Sequence, residues 1–512
     1  MSVTRRVAKN SMWYGLELGF GAITMLVTSV LLSRIFGPER LGYYNYIVWL
    51  TYVAGLLGTV GLPAATLKFM AEYLSKDEPG MAYRIYQLGW RTQLVLTAVL
   101  VLILLAGVWF LAPAEHRWMT TWLVLGIAPR MIGFIPAQIN SASQELHLNL
   151  PSSIAANLTT VAVILVTLLM GWGLPGLAVS HPIGHTVDLM LKLWLTAKRR
   201  HEWKRAAAGV TLDQALRLRL RNFAAQGLGL LLLNVVVWDR SDVFLLRHLN
   251  PDLSQVTFFS YSFTLVEKLL LIPQVLGGSM GLNLLSQQAL DRRRMTATAV
   301  SSSVYLLLIG LPVMLGAVAL SRPLWMIYGE KFAPAVPVFV IMCLLAVPRT
   351  IQFPAAVLLQ ATENQGFLLR LGLACAAVNL GLDVLLIPSH GAAGAAIGNG
   401  AGQTLSALGA WAFIARTFRP DLMPGVAGRI VASGVVMAGA ALAATWWLPP
   451  FTGAAAGLLT GVVVYAGMLR LTRALGQEDR NRLESLAGAL PGALRYPFNR
   501  LLWTVIPNAP AR

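Results

Sequence analysis

The sequence predicts an all-α integral membrane protein with about fourteen transmembrane helices, arranged as two pseudo-symmetric lobes of about six helices each and two appended C-terminal helices. Three observations support this fold class. Only 12% of the 512 residues are charged and 56% are hydrophobic, whereas soluble globular proteins carry about 25% charged residues. Apolar runs of about 20 residues, long enough to cross a bilayer, follow one another along the chain. The two halves share a pattern of prolines, glycines and arginines.

The apolar runs define the predicted spans. They lie near residues 11–34, 41–63, 86–112, 118–142, 151–172, 174–196, 223–246, 254–285, 297–320, 333–359, 367–387, 392–415, 428–448 and 452–469. The connections between them are short, so we expect no sizeable soluble domain. The N-terminus is basic, but no small-residue cleavage site follows its apolar run, which favours a retained first span over a removed signal peptide.

Lysine and arginine are distributed unevenly between the two faces of the predicted membrane. With the N-terminus inside, 30 of the 40 basic residues lie on the inner side, six lie outside and four lie within spans. Cytoplasmic loops are enriched in these residues, so both termini are predicted to be cytoplasmic. The net charge of +18 does not indicate a nucleic-acid partner, because the basic residues lie between apolar spans and not on one polar domain.

An internal repeat relates the two halves. Pro136 matches Pro354 and Gly184 matches Gly402 at an offset of 218 residues, and Pro129-Arg130 matches Pro348-Arg349 at an offset of 219. An even number of spans separates matching elements, so both halves have the same orientation and form a parallel repeat. Transporters with this architecture bind substrate between the lobes and rock about that site.

The repeat and the charge pattern divide the chain into five segments. We predict an N-terminal lobe at 1–197, a basic cytoplasmic connection at 198–222, a C-terminal lobe at 223–416, two further helices at 427–470 and a cytoplasmic tail at 471–512. The tail contains "LRYPFNRLLWTVIP", which is typical of an amphipathic segment at the membrane interface.

Arg130 and Arg349 are charges in the middle of apolar spans, in "LVLGIAPRMIGFIPAQ" and "LLAVPRTIQFPAAV". A charge at the bilayer centre costs about 2.5–3.5 kcal/mol on insertion scales, unless it faces water or a partner. The proline before each arginine can bend the helix. We therefore expect the two arginines to face each other across a central cavity and to bind an anion.

Other polar residues in the spans fall into two predicted groups. His181, His185, Asp188 and Lys192, spaced four, three and four residues apart, form one stripe on a helix, and the matching place in the twelfth span holds Asn399, Gln403 and Ser406. The predicted substrate ligands are Arg130, Arg349, His181, His185, Asp188, Gln138, Asn140, Gln352, Asn399 and Gln403. The predicted ion-coupling candidates are Glu17, Glu267, Lys268, Asp239 and Asp242.

Structural alternatives stay open for these groups. Interhelical hydrogen bonds, or neutralised pairs such as Asp239 with Arg240, would also place polar residues inside spans. Two histidines four residues apart can bind zinc, but no Cys or Glu lies near His181 and His185 in the sequence. The two cysteines both fall inside apolar spans, which excludes a disulfide framework. We expect no metal site and no cofactor.

Three stretches resemble the polysaccharide biosynthesis transporters, which are oligosaccharide flippases. They are "LLSRIFGPERLGYYNYIVWL", "GLPAATLKFMAEYLSKDEPG" and "IPSHGAAGAAIGNG", and the resemblance covers roughly residues 5–420. That family belongs to a superfamily with the multidrug-and-toxin antiporters and the peptidoglycan lipid flippases. The resemblance implies the bacterial inner membrane and the flipping of undecaprenyl-diphosphate-linked glycans toward the periplasm, for cell-surface polysaccharide biosynthesis. We also expect membrane lipids and a glycan polymerase or glycosyltransferases as partners, and we expect the protein to be a monomer.

The positions of the charges suggest a transport mechanism and distinguish it from the alternative functions. Arg130 and Arg349 would bind the diphosphate, the polar stripes would bind sugar hydroxyls, and H⁺ or Na⁺ would drive the lobes. Peptidoglycan lipid flippases are expected to carry several arginines in their first two helices, but here Glu17 is the charge well inside the first span. A multidrug antiporter for cations stays the alternative, although its cavity would favour acids. A membrane enzyme is disfavoured, because the outer loops are short and no DxD, Walker or HExxH motif is present.

Overall fold

The computed structural model describes residues 3–237, 239–286, 292–477 and 479–480, together with residues 496, 500 and 506. All regular structure in this part of the chain is helical. The α-helices are α1 (Val3–Ile35), α2 (Pro38–Gly58), α3 (Leu62–Ser75), α4 (Pro79–Leu111), α5 (Arg117–Ala142), α6 (Leu150–Leu169), α7 (Gly173–Leu195), α8 (Ala197–Ala206), α9 (Gln214–Val237), α10 (Asp242–Leu249), α11 (Ser254–Ser286), α12 (Arg292–Ala319), α13 (Ser321–Tyr328), α14 (Ala335–Ala346), α15 (Gln352–Ala361), α16 (Gln365–Phe418), α17 (Pro424–Trp446) and α18 (Pro450–Leu471). Short 3₁₀ turns lie at Ala114–His116, Leu146–Leu148, Glu330–Phe332 and Pro348–Ile351.

The described helices confirm an all-α protein that crosses the membrane several times. Nine helical stretches of the described chain are long and apolar enough to span a bilayer, and the pair α2–α3, bent by 43°, would make ten. The 54-residue α16 contains a non-helical residue, Gly391, and therefore comprises two helices joined at a kink. The predicted number of about fourteen spans stays a prediction.

Two predicted spans are interrupted in the structure. The span predicted at 223–246 ends as α9 at Val237 and resumes as α10 at Asp242. In this break, the side-chain Oδ1 of Asp239 accepts a hydrogen bond from the backbone N–H of Arg240 at 2.8 Å, a local bond that competes with helix formation. The span predicted at 333–359 is interrupted by the 3₁₀ turn Pro348–Ile351. The length of an apolar run in the sequence does not reveal either break.

The two Pro-Arg pairs of the repeat differ in their backbone. Pro129 lies inside the uninterrupted helix α5, whereas Pro348 begins a 3₁₀ turn between α14 and α15. Proline has no N–H to donate and its ring crowds the preceding turn, so a local change of helix type is one way to accommodate it. At Arg349 the predicted bend corresponds to a change from α-helix to a 3₁₀ turn. At Arg130 the α-helix continues without interruption.

The chain forms two compact units. The first contains Met1–Ser29 and Arg40–Ser241, and the second contains Val30–Glu39 and Asp242–Arg512. The predicted lobe boundary between residues 222 and 223 falls inside α9, whereas the compact units divide after Ser241. In the first unit α9 packs against α3 so closely that a Cβ on Gly61 would lie 2.4 Å from the carbonyl oxygen of Ala224.

Each unit has its own apolar core. In the first unit, Phe69, Ile85, Ile135 and Trp203 come together from α3, α4, α5 and α8. In the second unit, α12, α15 and α16 contribute Met295, Ala299, Leu358, Trp411 and Ile414. Large apolar side chains also cover the outer surfaces, such as Phe110 with 87% and Leu169 with 89% of the side chain exposed. An outer surface of this kind suits contact with lipid.

The segment after α18 docks on the second unit. The hydroxyl of Tyr305 donates to Oδ1 of Asp479 at 2.7 Å, and Nη1 of Arg429 donates to the carbonyl oxygen of Arg473 at 3.1 Å. The beginning of the predicted tail is thus bound to α12 and α17. The amphipathic segment predicted around residues 494–507 lies for the most part outside the described residues.

Substitution of Gly391 tests the kink in α16. Gly391 has φ +52° and ψ −128°, and a Cβ there would lie 2.5 Å from Oε1 of Gln255, which accepts the N–H of Ala392 at 3.0 Å. We expect Gly391→Ala to destabilise the protein by about 1–3 kcal/mol, the typical cost of backbone strain, measured as thermal unfolding in detergent. Gly381→Ala is the control, because its Cβ would meet open space. Equal stability of the two variants would show that the kink does not need glycine.

Candidate functional site

Arg130 lies on α5 within a cluster of the first unit. Its guanidinium group is 4.7 Å from the centre of the Tyr52 ring, a cation–π distance. The charges of Asp239 and Arg240 also act on Arg130, and Asp239 hydrogen bonds with Tyr52. Nε of Arg240 is 3.8 Å from Oδ1 of Asp239, so the predicted neutral pair is present, but it lies beside a second guanidinium. We call Arg130, Tyr52, Asp239 and Arg240 the arginine cluster.

The two predicted histidines belong to the same neighbourhood. Nε2 of His181 and the hydroxyl of Tyr44 are joined by a hydrogen bond of 2.8 Å, and the rings of His181 and His185 are 6.1 Å apart. The charge of Arg130 acts on both imidazoles. α5 and α7 approach closely here, because a Cβ on Gly126 would lie 3.2 Å from Cβ of His181. Hydroxyl and imidazole groups therefore lie next to the arginine cluster.

The lower part of the predicted stripe has a different environment. Nζ of Lys192 is 2.5 Å from Oδ2 of Asp188, and both side chains are largely buried. Spacing of four residues on one helix allows this pair. Asp188 thus has a counter-charge on its own helix, which favours the structural reading of this residue over a ligand role.

Gln138 and Asn140 make local contacts. Nε2 of Gln138 donates to the carbonyl oxygen of Phe134 at 3.0 Å. Nδ2 of Asn140, which is buried, donates to Oδ1 of Asn149 at 2.8 Å and so joins the end of α5 to the start of α6. Their role as sugar ligands stays a prediction, and in this structure their side chains hydrogen bond with other protein groups.

Arg349 lies in a cavity of the second unit. Its Nη1 forms an ion pair with Oε1 of Glu267 and donates to Oε1 of Gln403 at 3.1 Å. The cavity is small, with a volume of about 20 Å³. Its other lining residues are Phe263, Val266, Met342, Ala346, Asn399 and Gly400. The predicted coupling residue Glu267 is therefore the counter-ion of the predicted anion ligand, and Lys268 follows it on α11.

Asn399, Gln403 and Ser406 of α16 are all buried. Nε2 of Gln403 donates to Oδ1 of Asn399 at 2.7 Å. Nδ2 of Asn399 donates to Oδ2 of Asp242 at 2.9 Å. One turn further along, Ser406 accepts a hydrogen bond from Nε2 of Gln352 at 3.0 Å. These amides are satisfied by protein groups in this structure.

Asp242 and Asp383 form a buried acidic pair. Both side chains have no exposed surface, and their carboxyl groups are within hydrogen-bonding range of each other. Neither oxygen of Asp383 receives a hydrogen bond from a backbone or side-chain donor of the described chain. Gly398 makes room for this carboxyl, because a Cβ there would lie 2.3 Å from its Oδ1. Two adjacent buried carboxylates cannot both be ionised without a compensating positive charge, so the pair is suited to hold a proton or a cation.

The remaining coupling candidate has another partner. Glu17 on α1 accepts a hydrogen bond from the hydroxyl of Ser153 on α6. The contact joins two helices of the first unit. Sequence reasoning missed Tyr44 and Tyr52, whereas Asp383 and Arg240 were among the polar residues of the spans that it considered as further candidates. The sequence does not reveal which distant residue a tyrosine in an apolar helix contacts.

Comparison with known proteins establishes the family and the fold. Residues 7–281 match the sequence model of the family described as polysaccharide biosynthesis protein. Among solved structures, the lipid II flippase MurJ in an inward closed conformation has a TM-score of 0.66 at 14% identity, over 90% of this chain and 98% of MurJ. An inward-facing multidrug resistance MATE family transporter of the MOP superfamily has a TM-score of 0.66 at 12% identity, over 76% and 92% of the two chains.

A MOP superfamily transporter from Pyrococcus furiosus is also similar, with a TM-score of 0.59 at 12% identity over 80% of this chain and 95% of that transporter. No curated protein gave a significant match. At these identities the structural likeness establishes the fold, and the family match covers more than half of the sequence. The chain therefore belongs to the polysaccharide biosynthesis protein family and has the helical fold of the MOP superfamily transporters.

Proposed function

We propose that this protein is a flippase, and not an enzyme, that moves a lipid-linked oligosaccharide with an anionic diphosphate across the bacterial inner membrane by alternating access. Family membership and the transporter fold support this function. The observation that carries the choice of an anionic substrate is the arginine cluster, where the charge of Arg240 acts on Arg130. Adjacent guanidinium groups suit a diphosphate, whose oxygens they bind through charge-assisted and bidentate hydrogen bonds.

The chemistry of the substrate explains why such a site is needed. A diphosphate and a hydroxylated glycan lose their hydrogen bonds with water on entering hydrocarbon, and the loss is prohibitive for a charged group. Arg130 and Arg349 would replace water around the diphosphate. Tyr44, His181 and His185, which lie next to the arginine cluster, would offer hydrogen bonds to the glycan. The polyprenyl chain, expected to be undecaprenyl, would stay in the lipid.

We place the coupling ion, H⁺ or Na⁺, at the acidic pair of Asp242 and Asp383. The other predicted carboxylates have protein partners: Glu267 pairs with Arg349, Glu17 accepts from Ser153 and Asp239 hydrogen bonds with Tyr52. The acidic pair differs from these because it brings two carboxyl groups together without exposed surface, although Asp242 also accepts a hydrogen bond from Asn399. A proton or a monovalent cation would remove their repulsion.

The cellular setting follows from the same proposal. We place both termini in the cytoplasm, because 30 of the 40 basic residues then lie on the inner side, as inner-membrane proteins prefer. A glycosyltransferase would supply the lipid-linked glycan to this protein, and a polymerase would consume it. We propose that a monomer carries out the transport.

A multidrug antiporter for cations is the second candidate. The buried acidic pair favours it, since carboxylates attract cationic ligands. The position of Arg130 beside Arg240 opposes it, because two guanidinium groups repel a cationic drug. Flipping of a peptidoglycan precursor, as the name of the lipid II flippase MurJ states for that protein, is the less favoured substrate, because Glu17 is the charge well inside the first span.

Replacement of the two repeat-related arginines tests the proposed substrate class. We expect Arg130→Gln and Arg349→Gln each to reduce the flipping of an undecaprenyl-diphosphate-linked glycan in proteoliposomes by about 10–100-fold, because a hydrogen bond with a charged group contributes about 1.5–3 kcal/mol. Arg322→Gln is the control, since Arg322 is exposed at the start of α13. If the double variant flips the glycan at the wild-type rate, or if cationic drugs compete with the glycan, the anionic substrate is wrong.

Replacement of Asp383 tests the coupling site. We expect Asp383→Asn to remove the dependence of flipping on the Na⁺ or H⁺ gradient while the protein stays folded, because the change removes one of two like charges from a buried site. Flipping is measured in proteoliposomes with a Na⁺ gradient at constant pH and with a pH gradient without Na⁺. Glu330→Gln, at an exposed acid, is the control. Unchanged dependence on both gradients would place the coupling ion elsewhere.

A further inference from the structure

The anion site proposed at Arg349 already holds a carboxylate of the protein. Nη1 of Arg349 pairs with Oε1 of Glu267 and donates to Oε1 of Gln403 at 3.1 Å. Arg349 lies on the 3₁₀ turn Pro348–Ile351 and Glu267 lies on α11, so 82 residues of sequence separate the two charges. The pair is therefore formed by the tertiary fold of the second unit and is not a local feature of one helix.

The cavity beside Arg349 is too small for a phosphate group. Its volume is about 20 Å³, which is room for about one water molecule. The polar part of its lining comes from Glu267, Arg349, Asn399 and Gln403, and the rest of the lining is apolar. A phosphate group has several oxygens around its phosphorus and is larger than one water molecule. It therefore fits this cavity only after a lining side chain moves.

Glu267 is the polar lining residue best suited to move. The exposed fraction is 27% for the Glu267 side chain and 14% for the Arg349 side chain, and it is 4% for each of Asn399 and Gln403. A partly exposed carboxylate regains hydrogen bonds with water when it leaves its partner, whereas a buried amide that moves loses bonds that water does not replace. The glutamate side chain also has several rotatable bonds, so it can turn away while α11 stays in place.

We propose that Glu267 is an internal anion that holds Arg349 while the site is empty and that an anionic phosphate of the substrate displaces from it. This inference rests on the proposed function and adds the step that opens its anion site. A diphosphate carries more negative charge than one carboxylate and binds guanidinium groups through paired, charge-assisted hydrogen bonds, so it can replace Glu267. Because the ion pair has to be broken first, Glu267 lowers the affinity for the substrate, and its return to Arg349 favours release.

Removal of the charge of Glu267 distinguishes competition from simple positioning. If Glu267 only positions Arg349, loss of the carboxylate leaves phosphate binding unchanged or weaker. If Glu267 competes with the phosphate, the same loss strengthens binding, because no ion pair has to be broken. Glu267→Gln is the suitable change, since glutamine has the same length and its amide oxygen still accepts a hydrogen bond from Arg349.

The test measures the affinity of the full-length protein in lipid nanodiscs for undecaprenyl diphosphate, with undecaprenol as the uncharged comparison. We expect Glu267→Gln to bind undecaprenyl diphosphate about fivefold more tightly than wild type, which corresponds to the strength of a partly exposed ion pair. Its affinity for undecaprenol should equal that of wild type. Glu330→Gln is the matched control, because Glu330 is an exposed acid outside the cavity, and it should bind both lipids as wild type does.

Flipping kinetics in proteoliposomes provide a second measurement on the same variant. We expect Glu267→Gln to lower KM for the lipid-linked glycan without raising kcat, because tighter binding of the substrate before transport does not accelerate the later steps. Thermal unfolding in detergent shows whether the variant is as stable as wild type. A fall in kcat with an unchanged or higher KM in a stable variant would show that Glu267 positions Arg349 and does not compete with the substrate.

The outcomes separate this inference from the proposed function. If Arg349→Gln binds undecaprenyl diphosphate as tightly as wild type, or if undecaprenol binds equally well, the proposed anion site fails and the displacement of Glu267 fails with it. If Arg349→Gln weakens binding but Glu267→Gln does not strengthen it, only the displacement is overturned. The displacement is also overturned if Glu267→Gln strengthens binding as much in the Arg349→Gln background as in wild type, because the carboxylate then repels the anion without competing for Arg349.

Discussion

Hydrocarbon offers no hydrogen bonds, so each polar group inside the spans of this protein depends on another protein group. The rest of the structure follows from this constraint. Arg130 is matched by Tyr52 and Asp239, and Arg349 is matched by Glu267 and Gln403. Each arginine contacts groups from other segments of the chain. Because loss of these contacts would leave a charge without a partner, they also constrain how the segments pack. Replacement of a buried ion pair by apolar residues of similar volume is often neutral or stabilising, so packing alone does not require these charges.

The same constraint governs the interrupted helices. A break in a membrane helix frees backbone groups, and it is tolerated where protein groups satisfy them. Gln255 provides its side-chain oxygen at the kink of α16, and Asp239 does so at the break between α9 and α10. The breaks also change the direction of the side chains next to them, compared with an uninterrupted helix. Arg349 lies on a 3₁₀ turn, and Asp242 is the first residue of the short helix α10.

The sequence predicted the parts of the structure that depend on composition and on local spacing. Low charge and repeated apolar runs predicted the membrane fold, and a spacing of four residues predicted the face shared by Asn399 and Gln403. The partners of these residues come from distant parts of the chain, since 82 residues separate Glu267 from Arg349 and 157 separate Asp242 from Asn399. The spacing of residues within one helix does not predict contacts with such distant residues. Helix breaks without a Gly or a Pro, as between α9 and α10, were missed for the same reason.

The distant contacts also separate carboxylates that look alike in the sequence. Glu267 and Asp239 each lie beside an arginine, where a negative charge is favoured and loss of that charge would leave a buried cation uncompensated. Asp242 and Asp383 lie beside each other, where one positive charge relieves the repulsion. Coupling requires a site whose occupancy changes during transport, and a stable counter-ion does not provide that change. Under the proposed function, the buried acidic pair would exchange an ion and the arginine-paired carboxylates would hold the arginines in place for an anion.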